Sequence, residues 1–425
     1  MLFYSKGSEN TIISSEELRN TVFSVLSKLG PRKKVLIIPP DYTRFHSRAG
    51  EITRYAYEYY GNALTDILPA LGTHSPMSEK EITNMFSNVP KNLFRIHNWR
   101  QDLITLGEVP ASFIESISEG KVKYSWPAQV NKILVEGNFD LILSIGQVVP
   151  HEVAGMANYN KNVFIGTGGK EGINRSHFLG AIFGMERMMG HIETPVRKML
   201  NYAGEHFAKS LPIIYIQTVI GREVSGCLEL RGIFVGDDTE CFNLAAKLSQ
   251  KVNFQILDNP LKKIVCYLNP DEYKSTWLGN KSIYRTRMVI ADGGELIILA
   301  PALKEFGEDQ EIDRLIRKHG YIGTPAVLKA VEENEELRNN LSAAAHLIHG
   351  SSEGRFKITY CPGYLSENEI RKANFNFASL EKMIQKYNPE KLKDGFNLVD
   401  GEEIFYVSNP ALGLWASKER MIYNL

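Results

Sequence analysis

The chain has no excess of charge of either sign, because 49 lysines and arginines balance 49 aspartates and glutamates over 425 residues. A general nucleic-acid binder usually carries a basic surplus, so this balance argues against that class of protein. A local basic pocket for a small anion is compatible with it. We therefore expect a small-molecule partner and no nucleic acid.

Cysteine is scarce as well, with four residues and no C-x-x-C pair. Such scattered thiols argue against a thiolate metal site or a redox motif and fit reduced cysteines in a cytoplasmic protein. No apolar run approaches the roughly 20 residues that a membrane-spanning helix needs, and the N-terminus has no apolar stretch behind a basic cluster. The sequence predicts a cytoplasmic protein with no membrane partner and leaves its oligomeric state open.

Length and composition indicate a globular protein with more than one domain. A chain of 425 residues exceeds one ordinary core. Short apolar runs of strand length alternate with amphipathic segments, which predicts an α/β fold with mixed or parallel sheets flanked by helices. Around residue 250 this alternation restarts, and "SIYRTRMVIADGG" is predicted as a helix closed by glycines.

We predict two domains of this α/β type. The first covers residues 1–255 and the second covers residues 256–395. Residues 396–425 are a candidate to pack back on the first domain. No Ser/Gly-rich linker, repeat or low-complexity tract sharpens the boundary between the domains.

Three polar clusters directly follow apolar strand runs: "DYTR" at 41–44, "GTHS" at 72–75 and "PHEVAG" at 150–155. In open α/β sheets, ligands bind beyond the carboxyl ends of the strands. We therefore expect the three clusters to converge on one crevice.

The clusters contain residue types suited to acid–base and anion chemistry. His74 and His151 each stand in a loop past a strand, where histidine can act as a general acid or base, with a plain surface position as the alternative. Arg44 carries the planar fork that holds a carboxylate or phosphate. A surface salt bridge with Asp41 is the alternative for this arginine.

The stretch that follows the third cluster is rich in glycine and asparagine. Lys161 could bond covalently to a cofactor or a carbonyl, with a solvated lysine as the ordinary alternative. His177 could ligate a metal, although one histidine is no metal signature. The "GTGGKEG" loop at 166–172 resembles a phosphate cradle without P-loop spacing. These residues alone indicate a crevice with two histidines, an arginine and a loop suited to a phosphate.

Taken together, the motifs resemble the nickel-pincer-nucleotide lactate racemase family. "PDYTRFHS" is similar to that family's Asp-x-Thr-Arg motif, "GTHSPMS" to its Gly-x-His-x-Pro motif and "PHEVAG" to its Pro-His-x-x-Ala-Gly motif. The family places a cofactor-bearing lysine ten residues after the second catalytic histidine and a nickel-ligand histidine sixteen residues later. Lys161 and His177 stand at these offsets from His151.

The resemblance implies an isomerase, a racemase or epimerase of a small-molecule 2-hydroxy acid. Its cofactor would be the nickel-pincer nucleotide, pyridinium-3,5-bisthiocarboxylic acid mononucleotide nickel. His74 and His151 would be the catalytic bases, one for each face of the substrate carbon. That carbon would pass a hydride to the cofactor, leaving a 2-keto acid, and recover it on the other face.

The remaining roles also follow from the resemblance. Lys161, Asp41 and Thr43 would bind the cofactor, and His177 would ligate the nickel. The first domain would carry cofactor and catalysis, and the second would close over the substrate, with the active site in the crevice between them. Protein made without the enzymes of cofactor synthesis would lack the cofactor.

Substrate binding would fall to Arg44, Tyr284 and Arg285. In "SIYRTRM", Tyr284 matches the family's tyrosine, but Arg285 replaces a glutamine and Met288 replaces a substrate-binding lysine. Arg285 or Arg287 could supply the missing cation. The change suggests a larger acid than lactate, such as a sugar acid.

Other departures leave further questions open. "GMANYN" at 155–160 replaces the family's Gly-Phe-Ser-Gly-Gly, so Lys161 either forms the covalent link or neutralises a cofactor arm. His346 and His349 are either helix-end histidines or substrate contacts. Two other functions are alternatives: a zinc lyase or hydrolase that uses His74, His151 and His177, and a non-catalytic nucleotide-binding protein.

Overall fold

The structure is a computed structural model that describes residues 1–222 and 227–422. The chain divides into two compact units. The first consists of Met1–Leu179 and Gly190–Asn253, and the second of Gly180–Met189 and Phe254–Leu425. Each unit has its own six-stranded sheet and its own helices, which confirms the predicted α/β class.

The elements up to residue 253 begin with a strand and alternate thereafter. The strands are β1 (Leu2–Gly7), β2 (Val35–Ile38), β3 (Leu64–Ile67), β4 (Leu103–Val109), β5 (Trp126–Asn131), β6 (Leu141–Gln147), β7 (Pro150–His151), β8 (Gly155–Met156), β9 (Ile213–Arg222) and β10 (Leu228–Gly236). The helices are α1 (Ser15–Leu29), α2 (Ala49–Tyr60), α3 (Glu79–Phe86), α4 (Ala111–Ile117), α5 (Ile133–Glu136), α6 (Lys170–Phe183), α7 (Met185–Met188), α8 (Pro195–Phe207) and α9 (Thr239–Asn253). Tighter or wider helical turns lie at Tyr42–Ser47, Gly61–Ala63, Lys91–Leu93 and Asn162–Gly166.

The sheet of the first unit has the strand order β1-β10-β9-β6-β2-β3. Strands β3, β2, β6 and β9 run parallel, whereas β10 and β1 are antiparallel to their neighbours. Every residue of β2 and β6 is buried, as expected for parallel strands covered on both faces. Two antiparallel ribbons, β4 with β5 and β7 with β8, lie outside this sheet.

Local sequence signals explain why α1 forms and where it packs. The Ser14 side chain accepts a hydrogen bond from the Glu17 N–H at its start, and Gly30 adopts a positive φ of 79° at its end. Such a capping serine contributes about 1 kcal/mol. Leu18 and Val22 belong to the same buried cluster as the sheet residues, and each buried aliphatic side chain adds roughly 1.5–3 kcal/mol.

The topology of the first unit places the three polar clusters along one edge of its sheet. Strands β3, β2 and β6 are consecutive neighbours and parallel. The chain leaves β2 into residues 41–44, β3 into residues 72–75 and β6 into residues 150–155. The carboxyl ends of parallel strands meet at the same edge, so the expected convergence of the clusters is confirmed.

The second unit is built in the same manner from the rest of the chain. Its strands are β11 (Phe254–Leu257), β12 (Leu261–Tyr267), β13 (Ile290–Ala300), β14 (Lys357–Pro362), β15 (Asn376–Phe377), β16 (Gly395–Val399), β17 (Glu402–Val407) and β18 (Leu414–Ser417). Its further helices are α10 (Thr276–Gly279), α11 (Lys281–Thr286), α12 (Gln310–His319), α13 (Thr324–Glu333), α14 (Glu335–Arg338), α15 (Leu341–His349), α16 (Glu367–Lys372), α17 (Leu380–Lys386) and α18 (Lys418–Ile422), with a 3-10 turn at Pro410–Leu412. The sheet order is β15-β14-β13-β12-β17-β16, and all neighbours are parallel except β16 with β17.

The end of the chain corrects the prediction that residues 396–425 pack on the first domain. Strand β17 pairs with β12, and β18 pairs with β11, inside the second unit. Backbone hydrogen bonds between these strands hold the described residues of this segment there. For the same reason the division falls after Asn253 and ahead of β11, rather than after residue 255.

The segment "SIYRTRMVIADGG" is also corrected. The helix α11 ends at Thr286, and β13 begins at Ile290 and runs through the glycines. The β-branched Val289 and Ile290 favour a strand here, and pairing with β12 and β14 decides the outcome. In the described part of the chain, no helix is both long and apolar enough to cross a membrane.

Candidate active site

The first polar cluster forms an acid–base pair with the second. Asp41 caps the helical turn Tyr42–Ser47, and its Oδ1 accepts hydrogen bonds from the backbone N–H of Thr43 at 3.1 Å and from the Thr43 hydroxyl at 2.5 Å. Its Oδ2 lies 2.5 Å from Nδ1 of His74. Because a carboxylate accepts, Nδ1 carries the proton and Nε2 of His74 presents a lone pair. His74 can therefore take a proton from a ligand.

Arg44 lies on the same turn, but its guanidinium does not pair with Asp41. The carboxylate of Asp41 is engaged by His74 and Thr43. No described residue forms a hydrogen bond or an ion pair with the Arg44 side chain. The surface salt bridge considered as the alternative is therefore wrong, and a planar cation remains for an anionic ligand.

His151 follows β6 and is buried, with 8% of its surface exposed. Its Nδ1 accepts a hydrogen bond from the backbone N–H of Val153 at 3.1 Å. In the neutral ring the proton therefore sits on Nε2, which lies 3.9 Å from a carboxylate oxygen of Glu152. Burial lowers the pKa of His151 well below its usual range, Glu152 opposes that shift, and the positive charges of Lys161 and Arg44 add to it.

Lys161 is partly buried and directly precedes the wide helical turn Asn162–Gly166. Burial lowers its pKa to about 8, and the charge of Arg44 acts in the same direction. At neutral pH roughly one amine in ten is then uncharged and nucleophilic. No described group forms a hydrogen bond or an ion pair with this amine, which is unusual for a lysine removed from water.

His177 lies on α6, in the part of that helix that belongs to the first unit. Its Nδ1 donates a hydrogen bond to the Ile173 carbonyl at 2.8 Å, one turn earlier in the helix. Burial lowers its pKa to about 4, so the ring is neutral at pH 7 and Nε2 carries a lone pair. A neutral imidazole whose other nitrogen is anchored to a carbonyl is the usual form of a metal-binding histidine.

Electrostatic coupling shows that these side chains lie in one neighbourhood. The charge of Lys161 lowers the pKa of both His151 and His177, and His74 also acts on His177. Asp41 acts on Lys161. The first unit thus brings together the seven residues that the sequence singled out in it: Asp41, Thr43, Arg44, His74, His151, Lys161 and His177.

The glycine-rich loop at 166–172 uses several of its N–H groups within the protein, which argues against a phosphate cradle. The N–H groups of Thr167, Gly168 and Lys170 donate to backbone carbonyls, and that of Gly172 donates to the Gln129 side chain. A Cβ at Gly168 would lie 1.9 Å from the Phe164 carbonyl oxygen. The glycines are used for close packing within the protein, and the four N–H groups named here are not available to a phosphate.

Tyr284 and Arg285 lie in the second unit and are buried there. The Tyr284 hydroxyl bonds to Nδ1 of His346 at 2.9 Å, and Tyr321 bonds to the other ring nitrogen, also at 2.9 Å. Arg285 donates to the Gly413 carbonyl at 3.1 Å. The structure thus places both residues in a buried polar network of their own unit, and their substrate contacts stay a prediction.

Arg287, one of the two candidates to replace the family lysine, is ion-paired within the second unit. Its Nε donates to Glu186 at 2.8 Å, and its Nη1 donates to the His349 carbonyl. Met288 itself is 2% exposed. The charge of Arg287 is therefore balanced within the second unit, and its contact with a substrate stays a prediction.

The zinc alternative lacks a ligand set. Among the residues that the structure describes, no three or more His, Cys, Asp or Glu side chains are grouped to hold a metal ion. A protein zinc site usually takes at least three such ligands. His74, His151 and His177 are neighbours in the electrostatic sense but do not form one coordination sphere.

Two residues of this neighbourhood are not among those predicted from the sequence. Glu152 is a carboxylate that opposes the lowering of the pKa values of His151, Lys161 and His177 by burial. Its position directly after His151 was a visible signal. Arg197 lies in the first turn of α8 with no exposed surface, and nothing in its local sequence distinguishes it from a surface arginine.

Comparisons with known proteins find one matching family model and solved structures of the same fold. The family model described as the lactate racemase N-terminal domain matches residues 9–190. A protein from Thermotoga maritima, solved by a structural genomics consortium, superposes with a TM-score of 0.82 at 24% identity, covering 95% of this chain and 98% of that chain. A comparison with curated proteins finds no match.

A second solved structure, the lactate racemase apoprotein from Thermoanaerobacterium thermosaccharolyticum, has a TM-score of 0.68 at 16% identity and covers 95% of this chain and 93% of that chain. At this identity the likeness shows the fold alone. The matched N-terminal residues contain the motifs at 41–44, 72–75 and 150–155 and the segment up to His177. Residues 9–190 thus resemble the lactate racemase N-terminal domain, and the chain shares its fold with the lactate racemase apoprotein.

Proposed function

We propose that the protein is a nickel-pincer-nucleotide-dependent racemase or epimerase of a 2-hydroxy acid. The observation that carries the proposal is the Lys161 amine. It is partly buried, its pKa is lowered to about 8, and it has no partner among the described residues. Such an amine fits a covalent bond to a cofactor or an ion pair with an anionic cofactor arm.

The donor set also fits the implied cofactor. His177 offers one neutral nitrogen, and its other nitrogen is anchored to the Ile173 carbonyl. A single protein histidine suffices where the cofactor itself supplies the other ligands of the metal, which agrees with the absence of a three-ligand cluster in the described chain. When bound, the cofactor would supply the acceptor for a hydride from the substrate carbon.

The chain's own residues would bind the acid and move its proton. Arg44 would hold the substrate carboxylate through two parallel hydrogen bonds. His74 would take the hydroxyl proton at Nε2, and Asp41 would stabilise the imidazolium that forms. His151 has its proton on Nε2 in the neutral ring, so it would begin as a hydrogen-bond donor to the C2 oxygen and would keep that proton. The two histidines are then not equivalent before the reaction starts.

The substrate would be an acid larger or more hydroxylated than lactate. Met288 places no charge where the family has a lysine, and Arg287 is neutralised by Glu186. One charge-assisted hydrogen bond contributes about 1.5–3 kcal/mol, so a small acid would lose affinity that further hydroxyl groups can restore. Sugar acids of the aldonic class have such hydroxyl groups.

The test uses protein co-produced with the enzymes of cofactor synthesis. Chiral 2-hydroxy acids and aldonic acids deuterated at C2 are incubated with this protein. The products are separated by chiral chromatography, and their deuterium content is measured by mass spectrometry. We expect interconversion with the deuterium largely retained at C2, because a hydride that returns to the same carbon keeps its label. Elemental analysis is expected to find nickel.

A matched pair of variants isolates the acid–base role. His74→Ala is expected to lose interconversion, whereas His206→Ala, at an exposed histidine of the same unit, is expected to keep it. Washout of the deuterium, zinc in place of nickel, or full activity of His74→Ala would each contradict the proposal.

A further inference from the structure

The segment that ends at Lys161 has a strained backbone. We call residues 156–161 the lysine segment. Within it, Asn158 and Tyr159 have consecutive positive φ angles of 65° and 59°. Residues other than glycine pay about 1 kcal/mol or more for this conformation, so the surrounding structure has to hold it.

A buried guanidinium meets this segment from α8. Arg197 has no exposed surface, and its Nη2 donates to the Met156 carbonyl at 2.6 Å. Both Nη atoms reach the Asn158 carbonyl, at 3.3 and 3.4 Å, and Nη1 also donates to the Asn160 side chain. A single side chain thus ties together three alternate residues of the lysine segment.

The other contacts of Arg197 do not neutralise its charge, so its hydrogen bonds to the lysine segment have to balance it. Its guanidinium lies over the Phe242 ring, 4.2 Å from the centroid, and no carboxylate forms an ion pair with it among the described residues. Carbonyl oxygens and one amide therefore balance a fully buried cation. A buried guanidinium without an ion pair is stable only if all of its hydrogen-bond acceptors are held in place.

From these contacts we infer that Arg197 is the positioning residue of Lys161. By holding residues 156, 158 and 160, it sets the direction in which the next residue leaves the segment. Asn158 and Tyr159 hold left-handed conformations that glycine adopts without strain, so this segment needs a clamp that a glycine-rich segment does not. The inference rests on the proposed role of Lys161 as the cofactor-binding amine.

The experiment measures the segment and the amine in protein that has never met the cofactor. Amide hydrogen exchange reports the residues of the lysine segment. Competitive labelling with acetic anhydride, followed by mass spectrometry of peptides, reports the reactivity of Lys161 as a function of pH against the exposed Lys123. The groups that set this profile are Arg44, Glu152, Arg197 and Asp41, which act on Lys161 directly.

For Arg197→Met we expect exchange in the lysine segment to accelerate about tenfold or more and the labelling midpoint of Lys161 to move to higher pH. Arg197→Lys is expected to restore the midpoint in part, because it returns the charge without the planar fork. Arg231→Met is the control, since Arg231 is also buried in the first unit and donates to a loop carbonyl, that of Thr11. It is expected to change neither readout.

A milder variant covers the case in which Arg197→Met does not fold. Asn160→Ala removes one acceptor of the guanidinium and is expected to accelerate exchange at residues 156–161 by a smaller factor. If the folded variants match Arg231→Met in exchange and in labelling, the inference is overturned. Neither readout needs substrate turnover, so a loaded wild-type protein without racemase activity would refute the proposed function and leave this result standing.

Discussion

Replacing Asp41 with asparagine removes the negative charge of this side chain and keeps its role as the cap of the helical turn. Oδ1 accepts from the N–H and the hydroxyl of Thr43, and an asparagine oxygen can still do so. Oδ2 faces Nδ1 of His74 at 2.5 Å, and the amide nitrogen would replace it there. Asp41→Asn therefore keeps the cap of the helical turn and changes the group that orients His74.

The size of the effect follows from the burial of the pair. The Asp41 side chain is 7% exposed and that of His74 is 28% exposed, so solvent screens this hydrogen bond little. A charge-assisted hydrogen bond contributes about 1.5–3 kcal/mol, which corresponds to roughly 10- to 150-fold in rate if the transition state gains all of it. The amide would also donate to Nδ1 and move the ring proton to Nε2, which removes the lone pair. Loss of the base extends the expected decrease to about 10⁴-fold.

Two assays check this prediction. The rate of racemisation by cofactor-loaded protein is expected to fall by at least tenfold in Asp41→Asn and by less than tenfold in Thr43→Val, which loses a hydrogen bond to the other oxygen. Nitrogen-15 NMR of the histidine rings is expected to show the proton of His74 on Nδ1 in the wild type and on Nε2 in the variant. An Asp41→Asn protein with the wild-type rate and an Nδ1 proton would refute the reasoning.

Three further predictions follow from the same contacts. Lys161→Met is expected to stabilise the protein at pH 7 by up to about 3 kcal/mol, because the wild type binds fewer protons at this site folded than unfolded. The pKa of the Lys161 amine is about 8 in the folded state and has its ordinary value of 10.5 in the unfolded state. The stability advantage of Lys161→Met should therefore shrink as pH rises from 8 to 10.5, which thermal melts measure. An exposed Lys123→Met control should show no such trend. Arg44→Met is expected to raise KM about 10- to 100-fold with a smaller change in kcat, while Arg19→Met, which loses an exposed pair with Glu58, should leave both unchanged in steady-state kinetics. Tyr321→Phe removes hydroxyl contacts to Thr276 and His346 and is expected to destabilise the second unit by about 1–3 kcal/mol, measured by hydrogen exchange, whereas Tyr387→Phe should cost much less because its hydroxyl makes one long bond to Glu402.

Local sequence signals predicted the fold class because individual strands and helices are set largely by residues that are adjacent in the chain. Strand β2 is four consecutive apolar residues, and α1 has its serine cap and its terminal glycine where the sequence shows them. No single segment of the sequence predicts the strand order β6-β2-β3. Its consequence, that polar clusters after separate strands share an edge, followed from a general rule of parallel sheets.

The errors lie where distant contacts compete with local preference. The final strand pairs with β11, more than 150 residues earlier in the chain, and no local pattern indicates such a partner. The "GTGGKEG" loop shows the same limit. Its glycines look free to cradle a phosphate, but they are used against Phe164 and neighbouring backbone.

By itself the sequence determined which residue types stand after which strands, and thus the two histidines, the arginine and the lysine of the candidate site. Those choices are local, since a strand and the polar residues behind it are adjacent in the chain. The tertiary structure alone decided which ring nitrogen each histidine presents, because Asp41, Val153 and Ile173 set the tautomers of His74, His151 and His177. It also decided that a buried Arg197 supports the lysine segment, since hydrogen bonds across some forty residues arise only when the chain has folded.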